Sequence, residues 1–226
     1  MLSTDDLQAL WLTLRLAAVS TAVLLLLGTP LAWWLARSRA RGRFVVEALV
    51  ALPLVLPPTV LGFYLLLLLG ARGPLGQALE RVGLEPLAFS FGGLVVGSVL
   101  YSLPFVVQPV RDAFLAAGQR PLDVAATLGA GPLSRFLHVA LPLARPGILT
   151  GAVLGFAHTL GEFGVVLMIG GNIAGETRVA SIAIYDHVET LDYGAAHSLS
   201  LVLLGLSFAL LLAVYALNRR TRVIAA

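Results

Sequence analysis

Two ionisable residues, His158 and Glu162, lie inside an otherwise apolar stretch of the sequence that runs from Pro146 to Gly170. Their spacing of four residues would place both side chains on one face of a helix. Ionisable groups are expensive within a membrane, so such a pair marks a functional site by default, for example a proton relay. The alternative is a structural pair that satisfies itself and fixes helix packing. One histidine and one glutamate are too few ligands for a metal site.

Few other residues are suited to catalysis. Ser98, Ser102 and His158 are the candidates for an intramembrane hydrolase, but no spacing motif connects them. The sequence has no cysteine, and all 15 basic residues are arginine. Thiolate chemistry is therefore excluded, and so is a Walker A nucleotide site, because its lysine is missing. We predict no catalytic residue and no metal site in this chain.

A second polar region occupies residues 171–198, where acidic and histidine side chains could supply metal ligands. Its apolar residues recur at three-residue steps, which instead favours an amphipathic helix at the membrane surface with a solvated charged face. Such a face would suit a protein partner. The apolar residues in this pattern are Val179, Ile182, Tyr185 and Val188.

The remaining sequence is too apolar for a soluble domain. Of its 226 residues, 58% are hydrophobic and only 12% are charged, and the mean hydropathy is +0.93. A membrane core about 30 Å thick requires about 20 mostly apolar residues. The sequence therefore predicts an all-α bundle of five transmembrane helices in a single domain, with spans at about 7–36, 45–70, 87–110, 146–170 and 198–217.

The arginines indicate how this bundle is oriented. Four follow span one, four lie between spans three and four, and three follow span five. The connections on the other side hold only Arg72, Arg81 and Arg178. Because cytoplasmic loops are rich in arginine, we expect the N-terminus outside and the C-terminus in the cytosol.

Span two carries three prolines, Pro53, Pro57 and Pro58, in the middle of its apolar run. Proline removes a backbone donor and clashes with the preceding turn, so the helix should break there. A broken helix within a membrane needs protein or a water-filled cavity around it. The break is either a static kink in a packed bundle or part of a transport path. Pro104 and Pro109 repeat the pattern more weakly in span three.

The longest cytosolic connection, residues 111–145, has the pattern of a structured loop. A short helix is predicted over 121–128, and Gly129 fits the position that ends it. A second helix should begin at Gly131-Pro132 and end at Leu141-Pro142. Two short helices beneath the membrane, with apolar residues available, favour the binding of a cytosolic protein. Nucleic acid is not predicted as a partner, because the basic residues are few and dispersed.

The same loop resembles a known motif. The sequence D-V-A-A-T-L-G at 123–129, followed after nine residues by V-A-L-P at 139–142, is similar to the EAA loop of ABC importer permeases. Asp123 replaces the usual glutamate, Val124 the first alanine and Val139 the isoleucine. In that family the loop couples the permease to an ATPase. The residues that the resemblance implies in coupling, with the neighbouring apolar positions, are Asp123, Ala125, Ala126, Gly129, Leu133, Phe136, Val139, Leu141 and Pro142.

Three further segments, 52–62, 160–164 and 172–178, resemble molybdate permeases, to which tungstate and sulfate permeases are related. The resemblance implies a type I ABC importer permease fold, a homodimer, two cytosolic ABC ATPase subunits and an extracytoplasmic oxyanion-binding protein. It places the chain in a prokaryotic inner membrane, with ATP and magnesium on the ATPase and no cofactor on this chain. A proton-coupled secondary transporter is the alternative. The candidates for the pathway or its gate are Pro53, Pro57, Pro58, His158 and Glu162.

Overall fold

The computed structural model describes residues 2–224, with side chains described as far as residue 212. All regular secondary structure in this range is helical, as predicted. The helices are α1 (Thr4–Arg37), α2 (Arg43–Ala51), α3 (Pro58–Leu69), α4 (Pro74–Arg81), α5 (Phe91–Ala117), α6 (Arg120–Thr127), α7 (Pro132–Arg135), α8 (Leu141–Leu143), α9 (Arg145–Leu160), α10 (Gly164–Gly170), α11 (Ala180–Glu189) and α12 (Tyr193–Ile224). A 3-10 turn, Leu52–Leu54, follows α2, and a π-helical turn, Phe136–Ala140, joins α7 to α8.

The centre of the bundle consists of α1, α5 and α9. Leu16 clusters with Leu94 and Leu35 with Phe114, so α1 and α5 run parallel along most of their length. Small residues bring α9 close to both helices. A methyl group on Gly155 would lie 2.6 Å from a side-chain carbon of Val106 on α5, which is the close approach that glycine permits between membrane helices.

Among the described residues, four helical segments are long and apolar enough to cross a membrane: Thr4–Arg37, Pro58–Arg81, Phe91–Ala117 and Tyr193–Leu212. A fifth candidate is the bent pair Pro132–Leu143 and Arg145–Leu160, whose two parts meet at 71°. The predicted polytopic bundle is thereby confirmed, with four or five spans. The orientation stays a prediction, and the C-terminal arginines on which it partly depends, at 219, 220 and 222, lie outside the described side chains.

Three expectations about helix ends need correction. The apolar segment 146–170 is not one helix, because α9 ends at Leu160 and α10 begins at Gly164. The second loop helix continues through the π-helical turn and α8 to Leu143, one residue beyond the predicted end at Leu141-Pro142. Helix α5 continues through both of its prolines to Ala117, so the loop begins later than predicted. The first loop helix, by contrast, is found at α6 and ends before Gly129, as expected.

The predicted surface helix in 171–198 is helix α11, but it is integrated into the bundle. The backbone N–H of Ala180 donates to Thr13 Oγ1 of α1 at 2.8 Å, and His187 Nε2 lies 2.8 Å from the buried Asp6 carboxylate. Ile182 is consequently buried, whereas Tyr185, three residues on, remains 46% exposed. The three-residue pattern therefore does not define one buried stripe. No group of three potential metal ligands occurs within the described residues.

Candidate functional site

Two broken membrane segments meet in this structure. The first break lies between α2 and α3 at the predicted prolines, and the second lies between α9 and α10. A methyl group on Gly164 would lie 2.8 Å from Cβ of Pro58, and one on Gly62 would lie 2.7 Å from Cβ of Met168. The N-terminal ends of α3 and α10 are therefore in direct contact, and glycine makes that contact possible.

A cavity of about 600 Å³ lies beside this contact. It brings together three of the five predicted pathway residues, Pro58, His158 and Glu162. Pro53 and Pro57 do not line it; Pro53 is half-buried in the 3-10 turn and Pro57 is exposed. The other polar groups in the wall belong to Thr59 and Tyr101.

His158 is held in the cavity wall by α5. Its Nδ1 lies 2.8 Å from Ser102 Oγ, and its ring stacks on Phe105 with centroids 4.0 Å apart. Ser102 Oγ also lies 3.1 Å from Thr159 Oγ1. The histidine is thus paired with a hydroxyl on a neighbouring helix, and the alternative of a structural pair in which His158 and Glu162 satisfy each other is wrong.

Glu162 lies in the break after α9, so it does not share a helical face with His158. Its side chain is only 4% exposed, and neither carboxylate oxygen has a hydrogen-bond partner among the described residues. Its backbone carbonyl accepts a bond from Ser181 Oγ at 2.6 Å, which ties the break to α11. The buried hydroxyl of Ser98 faces this carboxyl group as a potential donor, but the two groups do not meet hydrogen-bond geometry. A buried acid without a well-formed hydrogen bond calls for a functional explanation.

Ser102 and His158 are the residue types of a nucleophile and its base in a hydrolase, but their geometry does not suit nucleophilic attack. Ser102 is completely buried, and its oxygen is shared with Thr159. No carboxylate is hydrogen-bonded to His158 in the described range, so the third member of a triad is missing there. The pair therefore acts as a clamp between α5 and α9.

The loop between α5 and α9 is fixed on one side and exposed on the other. Leu122 is buried, and the ring of Phe136 lies 5.3 Å from that of Trp33 on α1. Leu128 and Leu133 are 83% and 70% exposed. Large apolar side chains displayed on a rigid base are typical of a protein-binding surface.

The predicted coupling residues divide between these two sides. Gly129 has a φ of +84°, the left-handed conformation that a helix-ending glycine supplies. Asp123 is exposed and accepts a bond from Gln119 Nε2 at 2.7 Å. The exposed positions are Asp123, Ala126, Gly129 and Leu133, and the half-buried ones are Ala125, Phe136, Val139, Leu141 and Pro142.

Comparison with known proteins gives consistent matches. The family model described as "Binding-protein-dependent transport system inner membrane component" matches residues 28–223. The molybdenum transport system permease protein ModB of Azotobacter vinelandii is 58% identical over 218 residues, which are 96% of each chain. The sulfate transport system permease protein CysT of Salmonella typhimurium is 36% identical over 208 residues, 92% of this chain and 75% of CysT.

Among solved structures, a bacterial ABC transporter involved in the import of the acidic polysaccharide alginate contains a similar chain. The TM-score is 0.79 at 19% identity, over 96% of this chain and 80% of that chain. At this identity the likeness shows the fold alone, and it confirms the predicted importer-permease fold. The family match and the 58% identity with ModB show that the chain belongs to the family of inner membrane components of binding-protein-dependent transport systems, as a transport subunit.

Proposed function

We propose that this chain is the permease subunit of an ATP-driven importer of molybdate. The observation that carries the proposal is the 58% identity with the Azotobacter vinelandii molybdenum permease over 96% of both chains. Sulfate is the second candidate, supported by the 36% identity with CysT. Molybdate is favoured because the identity with the molybdenum permease is higher and covers 96% of that protein, whereas the match to CysT covers 75% of CysT. Tungstate is the third candidate, because tungstate permeases are related to the molybdate permeases that this sequence resembles.

The working assembly would be a homodimer in the inner membrane of a prokaryote. Two cytosolic ABC ATPase subunits would bind the loop between α5 and α9, and an extracytoplasmic protein would deliver the oxyanion. The exposed side chains of Leu128 and Leu133 support this docking role. ATP and magnesium would bind to the ATPase, since this chain has no lysine for a P-loop.

The contacts of the loop suggest how movement would reach the membrane segments. Phe136 packs against Trp33 of α1 and Phe114 of α5, so a push on the loop acts on two central helices at once. Beyond the π-helical turn the chain bends by 71° into α9. π-turns and bends are common at functional joints, and here they connect the docking surface to the helix that carries His158.

Oxyanion selection would belong to the binding protein. Among the described residues, no arginine lines the cavity beside the two breaks, and Glu162 in its wall does not favour an anion. A permeation path must also release its cargo easily. We therefore expect the isolated chain not to bind molybdate tightly, and sub-micromolar binding in calorimetry would contradict this expectation.

The proposal is tested by isolating the complex and measuring transport. The tagged chain, purified from its native membrane in a mild detergent, should carry an ATPase subunit in a ratio near one to one. The complex in liposomes, with its binding protein, should then take up radiolabelled molybdate only when ATP is present. If unlabelled sulfate or tungstate inhibits the uptake of labelled molybdate more strongly than unlabelled molybdate does, that anion is the preferred substrate. If uptake occurs without an ATPase and stops when a proton uncoupler is added, the chain is a proton-coupled transporter and not part of an ATP-driven importer.

A further inference from the structure

A second cavity, of about 470 Å³, lies at the end of α1 that faces the loop. Three arginines line it: Arg37 and Arg39 from the end of α1 and the residues after it, and Arg135 from α7. Trp33 and Gln119 also line this cavity. This cavity lies between α1 and the loop.

Arg37 is held in a fixed position. Its guanidinium lies over the ring of Trp33, 4.7 Å from the ring centroid, and its Nη1 donates to Oε1 of Gln119. The amide of Gln119 in turn donates to Asp123. Because Arg37 bonds to a neutral amide, its charge is not cancelled by direct contact, and the one nearby acid already accepts a bond from Gln119.

The other two arginines also have unused donors. Nε of Arg135 is buried and has no hydrogen-bond partner among the described residues. Arg39 is exposed, and it makes no ion pair with any side chain that the structure describes. Arg37 and Arg135 are close enough to repel one another, with Asp123 as the opposing charge. Within the described part of the chain, three arginines line this cavity and Asp123 is the acid that acts on Arg37, so the cavity carries a net positive charge.

We propose that this cavity binds a phosphate-type anion that bridges Arg37, Arg39 and Arg135. Guanidinium groups present paired N–H donors whose fork fits the oxygens of a phosphate. The anion would satisfy the buried Nε of Arg135 and remove the repulsion between the arginines. It would also join α1 to the loop, which would stiffen the connection between the membrane core and the docking surface.

The same chemistry is available from two sources. A free tetrahedral anion can enter from solution. The phosphate of an anionic phospholipid can enter from the membrane, since basic pockets at the ends of membrane helices bind such headgroups. Trp33 agrees with this source, because tryptophan is enriched at the membrane–water interface. The experiment must therefore present each source without the other.

The test uses the full chain in nanodiscs and measures its thermal unfolding. One arm adds inorganic phosphate to nanodiscs of phosphatidylcholine alone, and the other replaces part of the lipid by phosphatidylglycerol without added phosphate. We expect the midpoint to rise by about 3 °C in at least one arm, as expected for a ligand present well above its dissociation constant. A rise with phosphate identifies a free anion as the ligand, and a rise with phosphatidylglycerol alone identifies the headgroup.

Variants make the result specific to this cavity. Arg135→Gln and Arg39→Gln should lose the rise, and Arg72→Gln, an exposed arginine in the connection between α3 and α4, should retain it. Arg39 is exposed and forms no ion pair or side-chain hydrogen bond among the described residues, so a loss of the rise in Arg39→Gln cannot be ascribed to a broken internal contact of this kind. The proposal is overturned if neither arm stabilises the wild type, or if the two cavity variants respond as the wild type does.

Discussion

The hydroxyl of Ser102 lies 2.8 Å from Nδ1 of His158 and joins α5 to α9 just before α9 breaks. The second contact of this hydroxyl, to Thr159 at 3.1 Å, lies one residue further along α9. Two adjacent residues of α9 are therefore held by one buried atom of α5. This clamp fixes the last turn of α9 and orients the imidazole in the cavity wall.

Removing this hydroxyl should loosen the bundle. Ser102→Ala would leave Nδ1 of His158 without its partner, at a cost of roughly 1–3 kcal/mol. We expect a lower midpoint of thermal unfolding in detergent. Ser134→Ala is the matched control, because Ser134 forms a weaker and exposed contact, 3.4 Å from Nδ1 of His138. Equal midpoints for the two variants would show that the Ser102 contact contributes nothing to stability.

Glu162 should be needed for transport more than for folding. Glu162→Gln keeps the size of the side chain and removes the ionisable carboxyl group, whose oxygens form no hydrogen bond of good geometry with a described residue. We expect normal membrane insertion and an unfolding midpoint equal to or above that of the wild type. Molybdate uptake by the reconstituted complex should fall by roughly tenfold, equivalent to about 1.4 kcal/mol in the rate-limiting barrier.

The control for this variant is Glu176→Gln, which changes an exposed glutamate in the connection after α10. It should leave uptake unchanged. Normal uptake in Glu162→Gln would remove Glu162 from the transport mechanism. A loss of insertion would instead assign the residue a structural role.

Much of this fold could be predicted because the relevant signals are local. Apolar length predicts the membrane segments, and the prolines at 53, 57 and 58 predict the first break. Gly129 predicts the end of α6, since a positive φ favours glycine. Each of these features depends on residues that are neighbours in the sequence.

The second break could not be predicted in this way. The apolar run 146–170 predicts one continuous helix, and Gly161 and Gly164 within it do not by themselves indicate a break, because glycine is common where membrane helices pack. The break instead accompanies the contact of Gly164 with Pro58, which is more than a hundred positions away in the sequence. The partner of His158 was missed for the same reason, because Ser102 reaches it only through the register of α5 against α9. Contacts between distant segments are set by packing, which one sequence does not display.

The contact between the two half-helices should not tolerate added volume. A methyl group at Gly62 would lie 2.7 Å from Cβ of Met168 and 3.2 Å from Cα of Val165, so α3 and α10 would have to separate. We expect Gly62→Ala to destabilise the chain by about 1–3 kcal/mol, the usual cost of overpacking. Thermal unfolding in detergent measures this effect.

Gly161→Ala provides the comparison, because nothing lies within 4 Å of the added methyl group and the backbone there is ordinary. It should unfold like the wild type. If Gly62→Ala is equally harmless, α3 and α10 do not pack as tightly as described.

The exposed side chain of Leu128 should be needed for binding the ATPase but not for folding. It is 83% exposed and follows α6 directly, so Leu128→Ser removes apolar surface from the docking side without opening the core. Burying a leucine at an interface contributes about 1.5–3 kcal/mol, and its loss should lower the recovery of the ATPase with the tagged chain.

Leu84→Ser is the control, since Leu84 is also exposed, at 57%, but precedes α5 on the opposite side of the predicted membrane. ATPase recovery that is the same in both variants would place the docking surface elsewhere on the chain. Unfolding midpoints equal to that of the wild type are required of both variants, because only then does a lower recovery report on the interface.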